Sequence, residues 1–491
     1  MELTDEQWAI INASEHILKV NAVAGSGKTT TLLEYAKRRP KQRILYLTFN
    51  RSSSDEMKKK CAGANLENLT VQTFHALAYH HANGRHYELI NDFSEWTIFD
   101  GYVKGEIDEK REKMLLISWL IKDMMIFYLN SSHIYIDKAL LASYRNETQP
   151  QNKVGILLSC YADFILKTLK NILTQMKKGE IPAIHDFYLK MFHLSKPTLF
   201  YDIILIDEAQ DLSGVMLDVL KLQKASRIFV GDTFQQIYAF RYAINALDKI
   251  DCLEYSLTQT FRFGEPLARK ISKIVNRGYG ILNDRRHFLK ITGTNKNTEI
   301  IHSLGGDGQQ ITVISRSVLK LFSEIANYLS GNLKFYFEGG YDSYGFMNAR
   351  VLSVFYLYQE NYDKINDKFI KRFSRFYKLR DFAKASQNRQ LLNTCELVQT
   401  YREDLFDLNK KIKQRLVSKE VADVIFTTTH KAKGQEYQNV HMVREDFITR
   451  EQLENAVKNP DEYNFQKLRE ELNIFYVAAT RAIDNISLHK F

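Results

Sequence analysis

The sequence predicts an α/β protein built on parallel sheets and divided into more than one domain. Three observations predict it. Short apolar β-type runs alternate with helical stretches, which is the rhythm of parallel strands joined by crossovers. A glycine-rich loop carrying a lysine falls between one such run and a helix. The 491 residues also exceed the roughly 250–300 at which a single hydrophobic core stops growing.

The β-type runs are 16–23, 43–49, 202–206, 227–230, 310–315, 422–427 and 439–443. Two long segments interrupt them. From 76 to 196 apolar and charged residues recur at helical spacing, as in 110–125 and 156–178, and a second helical block rich in Tyr, Phe, Lys and Arg covers 332–419. Both read as insertions within α/β domains. The expected layout is a first α/β domain from 1–75 and 197–256 around the insertion 76–196, then a second from 257–331 and 420–491 around 332–419.

Hydrophobic residues at 45%, charged residues at 26% and 6 prolines fit a folded globular chain rather than a disordered one. Lys+Arg outnumber Asp+Glu by 68 to 58, a net charge of +10 that favours a polyanionic partner. The four cysteines, Cys61, Cys160, Cys252 and Cys395, lie far apart and form no zinc-site spacing. No secretion-signal core and no apolar run of membrane-spanning length occurs, so an intracellular protein, cytoplasmic or nuclear, is expected.

The sharpest local signal is Ala22-Val23-Ala24-Gly25-Ser26-Gly27-Lys28-Thr29-Thr30. It follows an apolar run and precedes a helical stretch from Leu32, the order of a phosphate-binding Walker A loop with Ala22 in place of the first glycine. Glycines let backbone N–H groups curl around phosphate, Lys28 reaches the β- and γ-phosphates, and Thr29 can hold Mg²⁺. A metal-binding acid is required on a neighbouring strand. Ile203-Ile204-Leu205-Ile206-Asp207-Glu208 supplies it, with Asp207 at a strand end to order the Mg²⁺ shell and Glu208 to deprotonate attacking water.

Asp207-Glu208-Ala209-Gln210-Asp211 followed by Val230-Gly231-Asp232-Thr233-Phe234-Gln235-Gln236-Ile237-Tyr238-Ala239-Phe240-Arg241 closely resembles the superfamily 1 UvrD/Rep/PcrA helicases. Thr48-Phe49-Asn50-Arg51 and Leu257-Thr258-Gln259-Thr260-Phe261-Arg262-Phe263-Gly264 are most similar to the F-box DNA helicase branch, although an F-box itself is not expected here. The matches run in family order from Gln7 to Arg481. The resemblance implies two RecA-like P-loop domains, each with a mainly helical insertion, and an ATP- and Mg²⁺-dependent DNA motor.

By that resemblance Gln7 reads adenine, Phe261 stacks on it, Gln235 senses the γ-phosphate, and Glu436, within Ala432-Lys433-Gly434-Gln435-Glu436-Tyr437, faces the nucleotide sugar or the strand. Arg262 and Arg481 are the two cations for the transferred phosphoryl group, bringing the second domain to ATP held by the first. Ala24, Gly25, Ser26 and Gly27 complete the loop. Thr30 stands near where UvrD and PcrA carry an arginine over the other adenine face, so relaxed nucleotide selectivity is expected.

The resemblance assigns contact with single-stranded DNA to Thr48, Phe49, Asn50, Thr73, Phe74, His75, Tyr238, Phe240, Thr428, His430 and Lys431, with Thr429 between the last groups. Aromatic rings suit a single strand because every base offers a face for stacking. His75 and His430 read as polar contacts rather than metal ligands. The segment 368–380 carries Lys368, Lys371, Arg372, Arg375, Lys378 and Arg380 interleaved with Phe369, Phe373, Phe376 and Tyr377. As a helix it would turn an aromatic face inward and a basic face outward, either as a duplex-binding surface or as an ordinary solvated face.

The functional expectation is a 3′ to 5′ translocase on single-stranded DNA and duplex junctions. It would unwind duplex or displace bound proteins. Its rival is an ATPase DNA-binding subunit of a repair, recombination-control or defence complex without autonomous unwinding; a nuclease domain is not expected in this chain.

Overall fold

Four consecutive apolar residues, Ile203–Ile206, form a strand buried along its whole length, and the first sheet is assembled around it. In chain order its strands are β1 (Ile17–Ala22), β2 (Ile44–Thr48), β3 (Leu69–Thr73), β4 (Ile203–Ile206), β5 (Ser226–Gly231) and β6 (Leu253–Leu257). In space they lie β3-β2-β4-β5-β1-β6, and every neighbouring pair is parallel. The computed structural model describes residues 2–64, 66–82, 86–150, 152–239, 242–284, 286–302, 309–386, 388–460, 463–488 and 491.

Side-chain alternation along these strands builds a core on each face of the sheet. Ile44 and Tyr46 of β2 join Val20, Leu205 and Val230 on one face, against helices α1 (Asp5–Ile11) and α2 (Lys28–Lys37). Leu45 and Leu47 join Ile204, Ile206 and Phe229 on the other, together with Phe74, Leu189 and Phe192. Between β3 and β4 the chain leaves the sheet for a series of helices. Its longest members are α3 (Arg111–Asn130) and Ala162–Lys178, and α4 (His185–Leu194) returns it to the sheet. The helical stretch expected at 156–178 is broken at Tyr161, separating Asn152–Cys160 from Ala162–Lys178.

Contacts divide the chain into a unit ending at Phe261 and another beginning at Arg262. The second unit holds its own six-stranded parallel sheet: β7 (Glu299–Ile300), β8 (Ile311–Ser315), β9 (Phe335–Phe337), β10 (Val424–Thr428), β11 (Tyr437–Met442) and β12 (Ala482–Ser487). Its spatial order is β7-β12-β11-β8-β10-β9. Helices Ala349–Tyr358, Phe376–Ala385, Arg389–Tyr401 and Asp404–Lys413 lie between β9 and β10, and helix α5 (Phe465–Ala479) leads into β12.

The expectation of one helix over 368–380 is corrected. Ile370–Arg372 form a single 3₁₀ turn, Phe373 leaves it extended, and the α-helix begins only at Phe376. The cause is aromatic packing: Phe369 meets Phe373 and Phe382 edge to face at 5.2 and 5.4 Å, Phe373 and Phe382 are tilted at 5.6 Å, and burying Phe373 pulls the chain out of helical register.

Candidate phosphate site and strand-facing segments

The loop between β1 and α2 is shaped by two left-handed glycines, Gly25 at φ 75° and Gly27 at φ 78°, a conformation glycine adopts without steric cost. A Cβ at Gly27 would stand 2.9 Å from the Gln7 amide nitrogen and 3.8 Å from the Phe261 ring. The loop is thus a cradle walled by two of the expected site residues.

Gln7 reaches it because it is the third residue of α1 and closes a capping box with Thr4. Its Oε1 accepts from Thr4 N at 2.9 Å, which turns its Nε2 toward Ser26 O at 3.5 Å. Phe261 is anchored by its own backbone, whose N–H donates to Gly25 O at 2.8 Å. Glu6 accepts from both the backbone and the hydroxyl of Thr258 at 2.8 Å, tying α1 to the same stretch. Ser26 Oγ is buried without a hydrogen-bond partner. A buried orphan hydroxyl beside a lysine and a helix N-terminus fits an oxyanion such as phosphate.

Lys28 opens α2, and its Nζ lies 3.3 Å from Glu208 Oε1. Burial works against the ammonium, but the charges of Glu208, Asp207 and Asp232 outweigh it and hold the lysine above its ordinary value. At the end of β4, Asp207 Oδ2 accepts from the buried Tyr46 hydroxyl at 2.9 Å, and its Oδ1 from Glu208 N at 2.9 Å. Burial, then the neighbouring Glu208 charge, raise the Asp207 pKa, with Lys28 pulling the other way. Such a carboxylate gains most from a cation, which fits the expected Mg²⁺ ligand; Thr29 stands in the first turn of α2 as its expected companion.

Glu208 itself holds a left-handed backbone, φ 55°. Its carboxylate accepts from Gln210 Nε2 at 2.5 Å, while Gln210 Oε1 accepts from Asp232 N at 3.0 Å. Asp232, fully buried, accepts from Gln235 Nε2 at 2.7 Å. Glu208, Gln210, Asp232 and Gln235 therefore form one hydrogen-bonded chain. Sequence reasoning named its ends and missed Gln210 and Asp232 as connectors, as it missed Tyr46. A Cβ at Gly231 would lie 2.3 Å from Gln210 Oε1 and push it from its bond to Asp232 N, so glycine here keeps the chain connected.

In the second unit Arg262 donates from Nε to Glu436 Oε1 at 2.8 Å and from NH1 to Thr480 O at 2.7 Å. Arg481, only 1% exposed, donates to Val477 O, Gln435 O and Thr480 Oγ1. The two expected cations and Glu436 thus converge on Thr480 and the 435–436 pair.

Among the expected strand contacts, Phe49 and Tyr238 stack at 5.6 Å with planes 20° apart. Asn50 caps the helix Arg51–Gly63 and Thr73 caps Phe74–His81, each accepting from a backbone N–H. Thr48 is buried, its hydroxyl on Asn50 O. His75 Nε2 lies 3.4 Å from Asp186 Oδ1. Phe74 is corrected: it is 2% exposed and packs edge-on against Phe192 in the core, so it offers no face to a strand. Phe240 lies outside the described residues. Thr428 is buried at the end of β10, and His430 and Lys431 are half-buried in the short helix Thr429–Ala432. Lys431 lies over the Tyr344 ring at 4.1 Å beside Ser343, and burial lowers its pKa.

No helix among the described residues is long and apolar enough to cross a membrane. The family model for the UvrD/REP helicase N-terminal domain matches residues 3–249. The chain is similar to F-box DNA helicase 1 of Gallus gallus, 29% identical across 98% of this chain and 48% of that protein. It is also similar to F-box DNA helicase protein 1 of Schizosaccharomyces pombe, 27% identical across 99% of this chain and 57% of that protein. It spans about half the length of these relatives. With the family model covering half the sequence and its phosphate loop, paired acids and glutamine chain gathered in one site, the chain belongs to the UvrD/REP helicase family.

Proposed function

We propose that this chain is an ATP-driven motor that moves along single-stranded DNA, 3′ to 5′ by family resemblance, unwinding duplex or displacing bound proteins. The observation that carries the reading is the connected site in which Lys28, Asp207, Glu208 and Gln235 meet beside Gln7 and Phe261. Bound ATP and Mg²⁺ supply the phosphoanhydride and the charge that polarises it. The 24–30 loop and Lys28 hold the phosphates, Thr29 and Asp207 would hold the metal, and Gln7 and Phe261 wall the base side. Glu208 takes the proton of the attacking water. Arg262 and Arg481 are proposed to meet the transferred phosphoryl group.

The stacked pair Phe49 and Tyr238 supports a sequence-independent grip on bases, since aromatic stacking reads no base edge. The same segment begins three residues after Gln235, so a change at the phosphate has a short covalent path to the strand.

The deciding experiment measures ATP hydrolysis with and without single-stranded DNA, and strand separation on 3′- and 5′-tailed duplexes. Strong stimulation with unwinding from the 3′ tail is expected. Stimulation without strand separation would move the reading to protein displacement or to an ATPase subunit of a larger repair or defence complex. Hydrolysis indifferent to DNA would overturn the motor.

A further inference from the structure

One face of α3, in the helical segment between β3 and β4, is linked to both candidate strand-facing segments of the first unit, directly to Tyr242 and through Asp186 to His75. Asp123, Phe127 and Asn130 are spaced i, i+4, i+7 and share that face, about 10 Å from end to end. At one end Asp123 Oδ2 accepts from Tyr242 OH at 2.9 Å and from Tyr144 OH at 2.6 Å. The Phe127 ring meets both tyrosines edge-on, at 5.1 and 5.4 Å. At the other end Asn130 Nδ2 donates to Asp186 Oδ2 at 3.0 Å, and the second oxygen of Asp186 faces His75.

Tyr242 is no ordinary anchor. It holds a left-handed backbone at φ 56°, a region that costs a bulky residue about 1 kcal/mol or more. Its N–H donates to Ala239 O at 2.9 Å, next to Tyr238. Two residues on, Ile244 N donates to Leu212 O at 2.7 Å, just past the acid pair. Fixing the Tyr242 side chain therefore holds the donor that bonds Ala239 O, the neighbour of the Tyr238 that stacks on Phe49.

We propose that α3 is a strut whose single face positions both strand grips, Asp123 acting through Tyr242 on the Tyr238 segment and Asn130 acting through Asp186 on His75. Asp123, Tyr242 and Asp186 are positioning residues, remote from the phosphate chemistry. The strut presupposes the single-strand grip proposed for this chain. It adds that the inserted helices set the affinity for the strand from within the first unit.

The test uses the full chain with Tyr242→Phe, Asp123→Asn, Asp186→Asn and, as control, Tyr144→Phe. Tyr144 donates to the same carboxylate but from the neighbouring helix Lys138–Thr148, so its loss removes an equivalent bond without touching the grip. Two quantities are read: binding of a fluorescent single-stranded oligonucleotide without nucleotide, and the oligonucleotide concentration giving half-maximal ATPase. A bond to a charged group is worth roughly a tenfold change. Tyr242→Phe and Asp186→Asn should each weaken both quantities by about tenfold and together multiply, with the DNA-independent ATPase rate unchanged. Tyr144→Phe should leave DNA affinity as in the parent protein. Equal effects of Tyr144→Phe and Tyr242→Phe, or parent-like affinity in Tyr242→Phe and Asp186→Asn, overturn the strut while leaving the motor standing. A parent protein that binds no single strand overturns both. Should Asp123→Asn not fold, Tyr242→Phe, which removes one oxygen, still decides the outcome.

Discussion

The Lys28 ammonium lies 3.3 Å from the Glu208 carboxylate. The cation of the phosphate loop and the proposed base are thus paired with each other, and a phosphate entering the loop must share Lys28 with Glu208. The two residues should respond differently to neutralisation. Lys28→Ala should lose productive nucleotide binding, because Glu208 and Asp207 would then face phosphate without a counter-charge. Glu208→Gln removes the competitor for Lys28 and should bind nucleotide at least as tightly as the parent. Its hydrolysis should fall by about 10²–10⁴-fold, the contribution of general base catalysis. Equilibrium binding of a fluorescent ATP analogue, alongside single-turnover hydrolysis, separates the two effects. Near-parental turnover in Glu208→Gln would remove it from the base role.

What the sequence made legible follows burial. Strands β2, β4 and β5 carry the continuous apolar runs Ile44–Leu47, Ile203–Ile206 and Ile228–Val230 because helices cover both faces, and such runs declare themselves without context. Leu69–Thr73 and Leu253–Leu257 did not, since each lies at an edge of the sheet and keeps polar residues in partly exposed positions. Ala482–Ser487, with Asp484 and Asn485 in mid-strand, gives no apolar run either.

The site divides the same way. The Lys28 loop and the Asp207-Glu208 pair are local motifs, readable from consecutive residues. Tyr46 on Asp207 depends on the register of β2 against β4, where Leu47 pairs with Ile206. Gln210 on Asp232 depends on β4 lying beside β5. Neither relationship is written in spacing along the chain. Phe74 shows the converse: family position pointed it at the strand, and helix periodicity in Phe74–His81 turned it into the core.

Lys190 on α4 offers a pH-dependent test of how the inserted helices are held. It is wholly buried, donates to Ser131 O at 2.7 Å and His133 O at 2.5 Å, and lies 4.4 Å from the Tyr128 ring centre. It thereby satisfies carbonyls just beyond the C-terminal end of α3. Burial pushes its pKa down to about 7, with Asp218 pulling the other way. Between that value and the ordinary lysine value of 10.5 the unfolded chain binds a proton that the folded chain does not. Stability owed to this group must therefore rise with pH across that window. The stability of the parent relative to Lys190→Met should increase by about 2 kcal/mol from pH 7 to pH 9, read from denaturant titrations of the first unfolding transition. A difference that stays flat would mean that the two carbonyls keep the ammonium charged inside the fold.

The last prediction concerns the basic segment at 368–380, whose break into a 3₁₀ turn and a helix alters which cations face outward together. Lys368, Lys371 and Arg372 are exposed around the turn Ile370–Arg372, while Phe369, Phe373 and Phe382 form the packing beneath. Arg375 is engaged with Glu360 and Arg380 with Gln399. Lys368→Glu, Lys371→Glu and Arg372→Glu together leave the phosphate loop and the Phe49–Tyr238 stack untouched, and ATPase stimulated by single-stranded DNA should survive. If this turn meets the duplex ahead of a junction, the triple variant should bind tailed duplex more weakly. Its dependence on salt should also be shallower, by roughly 0.9 in the log–log slope for each DNA phosphate that the variant no longer neutralises. The measurement is duplex affinity across a salt series, with folding checked by thermal melting. A variant whose affinity and slope both match the parent would assign these cations to a solvated surface, and the search for a duplex-binding face would move elsewhere.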